Sequence, residues 1–259
     1  MAGFLFDKVV FGPVNSRRLG VSLGINLLPV GFKHCSFNCI YCECGWTKVN
    51  TAVQNIFPPS GEIKKSLENK LLEMLGNGAL PEAISFAGNG EPTLHPDFAE
   101  IIDFTIELRN KYSSGSAVAV LSNATMLHLP DVVEALKKVD KNILKLDAGT
   151  EETYRLINNT LADISLEDII CNLRKFKTNL IIQSLFVRGE YQGKRVDNTT
   201  ETEISKWLKY IKELKPEQVM IYPIARATPL HGLEKVCLEE LNNIADKVME
   251  AGIKAEVYF

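Results

Sequence analysis

The sequence predicts an α/β protein, a sheet of six parallel strands with helices packed outside it. Three observations carry this reading. Short apolar runs alternate with amphipathic segments along most of the chain, the pattern of strands joined through helices by right-handed crossovers. Clusters of glycine and polar residues stand at or near the ends of the apolar runs, where open α/β sheets and barrels place their ligands. The 259 residues are 46% hydrophobic and 24% charged, enough for an ample core. A single domain over residues 1–259 is expected.

Residues 21–29 read as the first strand, stopped by Pro29. After Pro58-Pro59, Ser60 opens a helix to Leu75 with Leu67, Leu71, Leu72 and Leu75 at helical spacing, and Gly76-Asn77-Gly78 ends it. Ala83–Ala87 is the second strand and runs into the turn Gly88-Asn89-Gly90-Glu91-Pro92-Thr93, where glycine permits close backbone approach. A helix follows from Pro96 to about Lys111, then the buried strand Ala117–Leu121, which ends in Ser122-Asn123-Ala124-Thr125. Leu129-Pro130 precedes a helix to Val139.

Asn142–Gly149 is the fourth strand and carries Lys145 and Asp147, two residues apart and so on one face. Charges on one face of a central strand need partners or a ligand. A mutual salt bridge and a ligand contact both meet that need. A helix over residues 166–177 leads to the strand 180–187, which buries Gln183 and Ser184. Residues 188–199 read as a long polar loop, a candidate lid. Ser or Thr near 199–202 caps a helix to Leu214, Gln218–Pro223 is the sixth strand, and a last helix from Leu238 to Ala251 precedes a short closing strand at 254–259.

Net charge is −3 and the pI is near 5.9, so the whole surface lacks the basic footprint of sequence-independent nucleic-acid binding. Arg17-Arg18 is the local exception, either a solvated pair at the start of a strand or a pair facing an active site or a phosphate. No secretory n-region or h-region opens the chain, and no apolar run approaches the roughly 18–20 residues of a spanning helix. With six cysteines, this points to a reducing cytoplasm, no membrane and thiols that bind metal instead of pairing.

The metal-binding candidates are concentrated in Cys35-Ser36-Phe37-Asn38-Cys39-Ile40-Tyr41-Cys42. Three thiolates at these spacings reach three corners of an iron–sulfur cube and leave one iron open. His34 beside them offers a Cys₃His zinc site as the rival, although structural zinc usually draws paired ligands separated by a finger-like segment, and only one half of such a pattern exists here. Cys44 is expected to be a nearby free thiol. Cys171 and Cys237 are expected to be buried, Trp46 and Trp207 to be packing groups, and His128 and His231 to be loop histidines. His95 follows the glycine turn and is a candidate for the site.

This cysteine spacing, with an aromatic residue before the last cysteine, resembles the cluster loop of the radical S-adenosylmethionine (SAM) superfamily. Phe11–Arg18, Gly90–Pro96 and Leu146–Thr150 extend the likeness over a core of about residues 11–225, leaving 226–259 as a C-terminal helix and strand. The set resembles the iron–sulfur oxidoreductases related to the wyosine base synthases. The resemblance implies a partial (β/α)₆ TIM-like barrel, a [4Fe-4S] cluster on Cys35, Cys39 and Cys42, and SAM chelated at the open iron. Reductive cleavage of SAM would then release a 5′-deoxyadenosyl radical that takes hydrogen from a substrate, the cofactor carrying the hard step.

The resemblance also implies that the backbone at Tyr41 meets the adenine and that Gly90 and Glu91 meet the methionine amine. Asn123, Lys145, Asp147 and Gln183 would serve the ribose or carboxylate. Asn89 stands where the family carries the first glycine of its Gly-Gly-Glu segment. The expected partners are a one-electron donor such as flavodoxin or ferredoxin and a substrate that is a small molecule, a protein or RNA. A wyosine-type tRNA-modifying synthase would bring a basic face and further N-terminal cysteines, and residues 1–34 contain none. A glycyl-radical enzyme activase would dock a protein loop. A non-catalytic iron–sulfur or zinc-binding module needs no SAM pocket, which the turn at 88–93 speaks against.

Overall fold

The computed structural model describes residues 3–47 and 57–259. Strands β1 (Val10–Ser16), β2 (Gly20–Ile25), β3 (Ala83–Phe86), β4 (Ala117–Ser122), β5 (Lys141–Lys145) and β6 (Ile181–Tyr191) lie side by side in sequence order. Beyond β6, strand β7 (Lys194–Asp197) forms a hairpin with it, and β8 (Gln218–Pro223) continues the main sheet. Strand β9 (Glu234–Lys235) pairs with the far end of β6, and β10 (Ala255–Val257) adds to the outside of β8. From β2 through β10 the main path is parallel, and β1 runs antiparallel along its edge. The path ends at β1 on one side and β10 on the other, so the sheet is open.

Among the described residues seven α-helices join these strands: α1 (Ser60–Gly76), α2 (Phe98–Tyr112), α3 (Pro130–Lys138), α4 (Glu151–Asn158), α5 (Leu166–Leu173), α6 (Glu201–Leu214) and α7 (Leu238–Glu250). Each buries an apolar stripe, Ile63, Leu67, Leu71 and Met74 on α1 and Leu241, Ile244, Ala245 and Val248 on α7. The strands are apolar on both faces because both are covered. One face packs under the helices through Ile84, Val118, Val120, Leu144 and Ile182. The other packs on itself through Leu19, Ala83, Ala119, Ile143, Ile181 and Met220.

That second cluster is the apolar plug of a curled sheet. A flat sheet, at about 4.8 Å per strand, would hold β2 roughly 19 Å from β6. Arg18, two residues before β2, nevertheless reaches Gln183 on β6 at 2.9 Å. Strand alternation places Lys145, Gln183 and Tyr222 on the plug's face, two residues nearer the C-terminal ends than Ile143, Ile181 and Met220. Polar groups therefore form the layer above an apolar floor.

The structure departs from the sequence reading at four points. Residues 188–199 are not a lid loop: β6 continues to Tyr191 and turns at Gln192-Gly193, both with positive φ (52° and 72°), into β7. Positive φ at both central residues is the hairpin turn that matches strand twist. Strand β1 was not expected because Gly12-Pro13 interrupts it, and its register shifts between Phe11 and Val14, as an edge strand tolerates. Helix α4 is short and sits after Thr150, whose hydroxyl accepts from the Thr153 amide. Cys171 and Cys237 are exposed, not buried. On α5 the buried positions are Leu166, Ile169, Ile170, Asn172 and Leu173, which turns Cys171 outward.

Candidate active site at the mouth of the curled sheet

The cysteine loop leaves the end of β2 and is held on two sides by backbone hydrogen bonds. On one side, His34 N–H donates to Asn89 O at 2.8 Å and Glu91 N–H donates to His34 O at 3.2 Å. Gly90 lies between them at φ +143°, and a Cβ there would fall 1.8 Å from His34 O, so the close approach requires glycine. On the other side, Asn38 N–H donates to Asn158 O and Ile40 N–H to Ile157 O, each at 3.0 Å, which fastens the loop to the end of α4. Asn89, in place of a glycine, acts as a clip: its buried amide donates to Phe6 O at 2.9 Å and Pro29 O at 2.8 Å and accepts from Phe6 N–H at 2.8 Å.

Cys39 is buried, and Cys35 and Cys42 are half-buried. Phe37 N–H donates to Cys35 Sγ at 3.4 Å and Asn123 Nδ2 to the same sulfur at 3.6 Å. Lys33, only 3% exposed, donates to Gly45 O at 3.0 Å and lies within the field of the three cysteines. Burial alone would lower its pKa, and the charges of Cys42, Cys35 and Cys39 outweigh that and hold it above the ordinary value. Burial pushes Cys35 up to about 12 and Cys39 up to about 11, against the pull of Lys33 and Lys145. The neighbouring Cys44, whose thiol donates to Gly88 O at 3.4 Å, brings the Cys42 sulfur down to about 6, with Lys33 assisting against burial.

Lys33 carries one signal in the sequence, a lysine immediately before His34-Cys35. Three soft cysteine sulfurs beside a buried ammonium, with N–H donors at Cys35, fit an anionic iron–sulfur cluster. Among the described residues, no three His, Cys, Asp or Glu side chains gather around a single-ion site.

Glu91 is buried, and its carboxylate braces two turns. One oxygen accepts from the Thr93 amide at 3.1 Å and the Thr93 hydroxyl, and the other from Asn123 N–H at 2.6 Å. Burial still leaves its pKa above the ordinary value. Asn123 reaches the cysteine loop, its Nδ2 donating to Ser36 Oγ at 2.9 Å.

Lys145 and Asp147 do share a face, and they meet each other. Lys145 Nζ lies 2.5 Å from Asp147 Oδ2, the Tyr41 hydroxyl donates to the same oxygen, and Lys145 contacts that hydroxyl. The second Asp147 oxygen accepts from Leu185 N–H at 2.9 Å. Burial works against the Lys145 ammonium, and Asp147 more than offsets it, so the lysine's pKa stands above its ordinary value. Gln183, by contrast, accepts from Arg18, whose guanidinium sits 5.0 Å from the Tyr222 ring centroid.

Two adjoining cavities open beside these groups. One, of about 250 Å³, is lined by Tyr41, Cys42 and Cys44 on the loop side and Leu185, Tyr222 and Ile224 on the strand side. The other, of about 310 Å³, is lined by Ser22, Ser85 and Leu121 and by Arg17, Arg18 and Arg226. Tyr41 and Cys42 are thus at a cavity wall. Gly90, Glu91, Asn123, Lys145, Asp147 and Gln183 are not among the residues that line these two cavities. His95 has a structural place: its Nε2 bonds Pro58 O at 2.9 Å and its Nδ1 accepts from Asp97 N–H at 3.0 Å. Trp207 is a packing group whose indole N–H donates to Leu146 O and Ser184 Oγ, both at 3.1 Å. Trp46 stacks on Tyr191 at 6.2 Å between ring centroids.

The family model described as the Radical SAM superfamily matches residues 30–192, which contain the cysteine loop, the glycine turn and strands β3 to β6. The chain belongs to the radical SAM superfamily. It is 31% identical over 258 residues to the "GTPase Obg" of Brachyspira hyodysenteriae, a match covering 98% of this chain and 35% of that protein. It is 32% identical over 226 residues to a UPF0026 protein of Synechocystis sp., covering 85% of this chain and 77% of the relative. The chain therefore spans about a third of the first relative and about three quarters of the second.

A radical SAM methyltransferase from Sphaerobacter thermophilus superposes with a TM-score of 0.67 at 13% identity, covering 91% of this chain and 65% of that one. That likeness is one of fold. The open, mostly parallel curled sheet is the partial TIM-like architecture of radical SAM proteins. Membership implies SAM and an iron–sulfur cluster as cofactors and a radical reaction as the chemistry. Among the described residues, no helix is long and apolar enough to cross a membrane.

Proposed function

We propose that Cys35, Cys39 and Cys42 hold a [4Fe-4S] cluster with one iron open to SAM, and that the chain is a radical SAM enzyme of oxidoreductase or lyase type. The observation that carries this reading is the cysteine loop, fixed at both sides, with three thiols around Lys33 and an opening onto the cavity lined by Tyr41 and Cys42. When bound there, the cofactors supply one-electron cleavage of SAM to methionine and a 5′-deoxyadenosyl radical that abstracts hydrogen from the substrate. Lys33 offsets the negative charge of the thiolates at a site closed to most solvent. Gly90 lets the glycine turn lie against the cysteine loop, so the methionine end of SAM would meet backbone there. Tyr41, anchored by Lys145 and Asp147 at its hydroxyl, keeps the loop backbone aligned along the cavity for the adenine.

Asn123 and the Lys145–Asp147 pair orient this wall from behind, and Gln183 sets Arg18 at its foot. Leu185, Pro223 and Ile224 give the opposite wall an apolar surface that keeps water from a reactive carbon centre. A one-electron donor such as flavodoxin or ferredoxin completes the system in a reducing cytoplasm.

The test is anaerobic reconstitution with iron and sulfide, reduction with dithionite and addition of SAM, followed by chromatography of the products. Wild-type protein is expected to yield 5′-deoxyadenosine and methionine in equal amounts, and Cys39→Ala none. Iron-loaded, SAM-bound wild type that makes no 5′-deoxyadenosine would sink the reading.

A further inference from the structure

Two arginines of the second cavity, Arg17 and Arg18, are unlike the arginines that have ion-pair partners. Arg109, Arg155, Arg174, Arg188 and Arg195 each have a carboxylate within 4.0 Å. Arg17 and Arg18 have none among the described residues, although Arg18 is half-buried. Arg18 is instead held in place by neutral groups. Its amide N–H donates to Ser16 Oγ at 3.3 Å, its Nη1 to Gln183 Oε1 at 2.9 Å, and its guanidinium faces the Tyr222 ring. A fixed guanidinium with one neutral acceptor still has donors to give, and a bidentate anion is the chemistry that takes them.

The surrounding charges do not cancel it. Arg226 lines the same cavity and pairs with Glu43 at 2.7 Å, which leaves Arg17 and Arg18 as surplus positive charge. Lys145 and Asp147 neutralise each other behind Tyr41. The rest of the wall carries no charge: Ser16, Ser22, Ser85 and Asn15 are its neutral polar groups, and its aromatic part is Phe6 stacked on Phe11 at 3.7 Å between centroids with Phe4 edge-on to Phe6 at 5.0 Å. At about 310 Å³ the space is at the small end of the roughly 300–1,000 Å³ of ligand pockets. It shares Arg17, Arg18, Glu43 and Arg226 with the cavity that touches Cys42, so occupants of the two would lie against each other.

We propose that this second cavity binds the substrate, a small organic anion whose phosphate or carboxylate is taken by Arg17 and Arg18 and whose apolar body lies against Phe6 and Phe11. Calling the ligand a substrate rests on the radical SAM reading. The binding itself does not, and it is measured separately.

The experiment is anaerobic calorimetry on the reconstituted full chain with three probes of one shape: benzyl phosphate, phenylacetate and benzyl alcohol, each with and without saturating SAM. Both anions are expected to bind and benzyl alcohol to bind at least tenfold more weakly, with the tighter of the two anions identifying phosphate or carboxylate as the natural group. Arg18→Gln should weaken anion binding by roughly tenfold to a hundredfold, the range for losing hydrogen bonds to a charged group. Arg17→Gln, at an exposed turn position that leaves the core intact, should weaken it severalfold. Equal affinity for benzyl alcohol, or unchanged anion affinity in both variants, overturns the proposal. Displacement of the anions by SAM also overturns it, since the arginines would then serve the cofactor's carboxylate. Anion binding by protein that makes no 5′-deoxyadenosine supports the anion site and removes only the reading that makes its ligand a substrate.

Discussion

The two sides of the mouth are built by different means. On the cysteine side, consecutive residues form a loop whose backbone is fastened to its neighbours by hydrogen bonds at His34, Asn38, Ile40 and Glu91. On the side of β5, β6 and β8, single side chains on separate strands meet partners far away in sequence, Tyr41 with Lys145 across 104 positions and Arg18 with Gln183 across 165. A loop of this first kind carries its ligands as a motif and is robust to side-chain loss outside the ligands. A wall of the second kind depends on each pair.

The largest expected effect tests the first half of that contrast. Ala at Cys35, Cys39 or Cys42 should abolish the cluster, and Ala at Cys44, Cys171 or Cys237 should leave it, as read by iron counting and electron paramagnetic resonance after anaerobic reconstitution. Loss of the cube in the Cys44 variant would mean that the loop contributes a fourth ligand.

Next in size is the strand side. Removing one partner of a buried ion pair costs about 3–5 kcal/mol, because the other charge is left unpaired. Lys145→Met and Asp147→Asn should therefore lower the melting temperature by many degrees, and iron loading of the surviving folded protein should match wild type. A normal melting temperature with weakened SAM binding in both variants would instead make the pair a cofactor contact and dissolve the contrast.

Asn89→Ala sharpens the comparison from the other direction. It removes a buried amide that ties Phe6 and Pro29 to the glycine turn, and leaving those backbone groups without their partner costs about 1–3 kcal/mol. Chemical denaturation should show this loss, and the cluster should still assemble because the loop's own backbone bonds remain. Failure of assembly at full folding would show that the clip, and not the loop, sets the ligand geometry.

The smallest effect lies at the rim, where β7 meets β6. Burial pushes the Asp197 carboxyl up, but hydrogen bonds from Thr199 and Arg195 and the charge of Arg188 outweigh it and hold its pKa below the ordinary carboxylate value. A carboxylate with a depressed folded pKa contributes stability above its unfolded value of about 3.9 and loses it as pH falls through the folded value. Melting curves of wild type and Asp197→Asn should differ modestly at pH 7 and converge in the acid range below the ordinary carboxylate pKa. A gap that persists at low pH would make the contribution steric.

Much of the fold was legible because the parallel strands are short apolar runs bounded by turn residues, and six of them occur where those runs stand. The features that were not legible share a cause. The 188–199 hairpin is polar because it leaves the core, and β1 is broken by Gly12-Pro13, so neither shows the alternation that marks a half-buried strand. In the site, the thiols and the glycine turn were visible as local spacings, whereas Lys33 acquires meaning only when the loop folds around it, and Tyr222 and Arg226 only when the sheet curls. The alternation that put Lys145 and Asp147 on one face held. The structure shows the ion pair at 2.5 Å, and the SAM titrations of Lys145→Met and Asp147→Asn decide whether the pair also serves the cofactor.

The central claim is an iron left open by three protein thiolates and filled by SAM, and the electron paramagnetic resonance spectrum of the reduced cluster addresses it most directly. Recorded with and without SAM on the reconstituted wild type, the spectrum should shift in its g-values on addition, because an amine and a carboxylate join the open iron, and S-adenosyl-L-homocysteine should give a related shift without cleavage. An unchanged spectrum at SAM concentrations shown by calorimetry to saturate the protein would contradict the account.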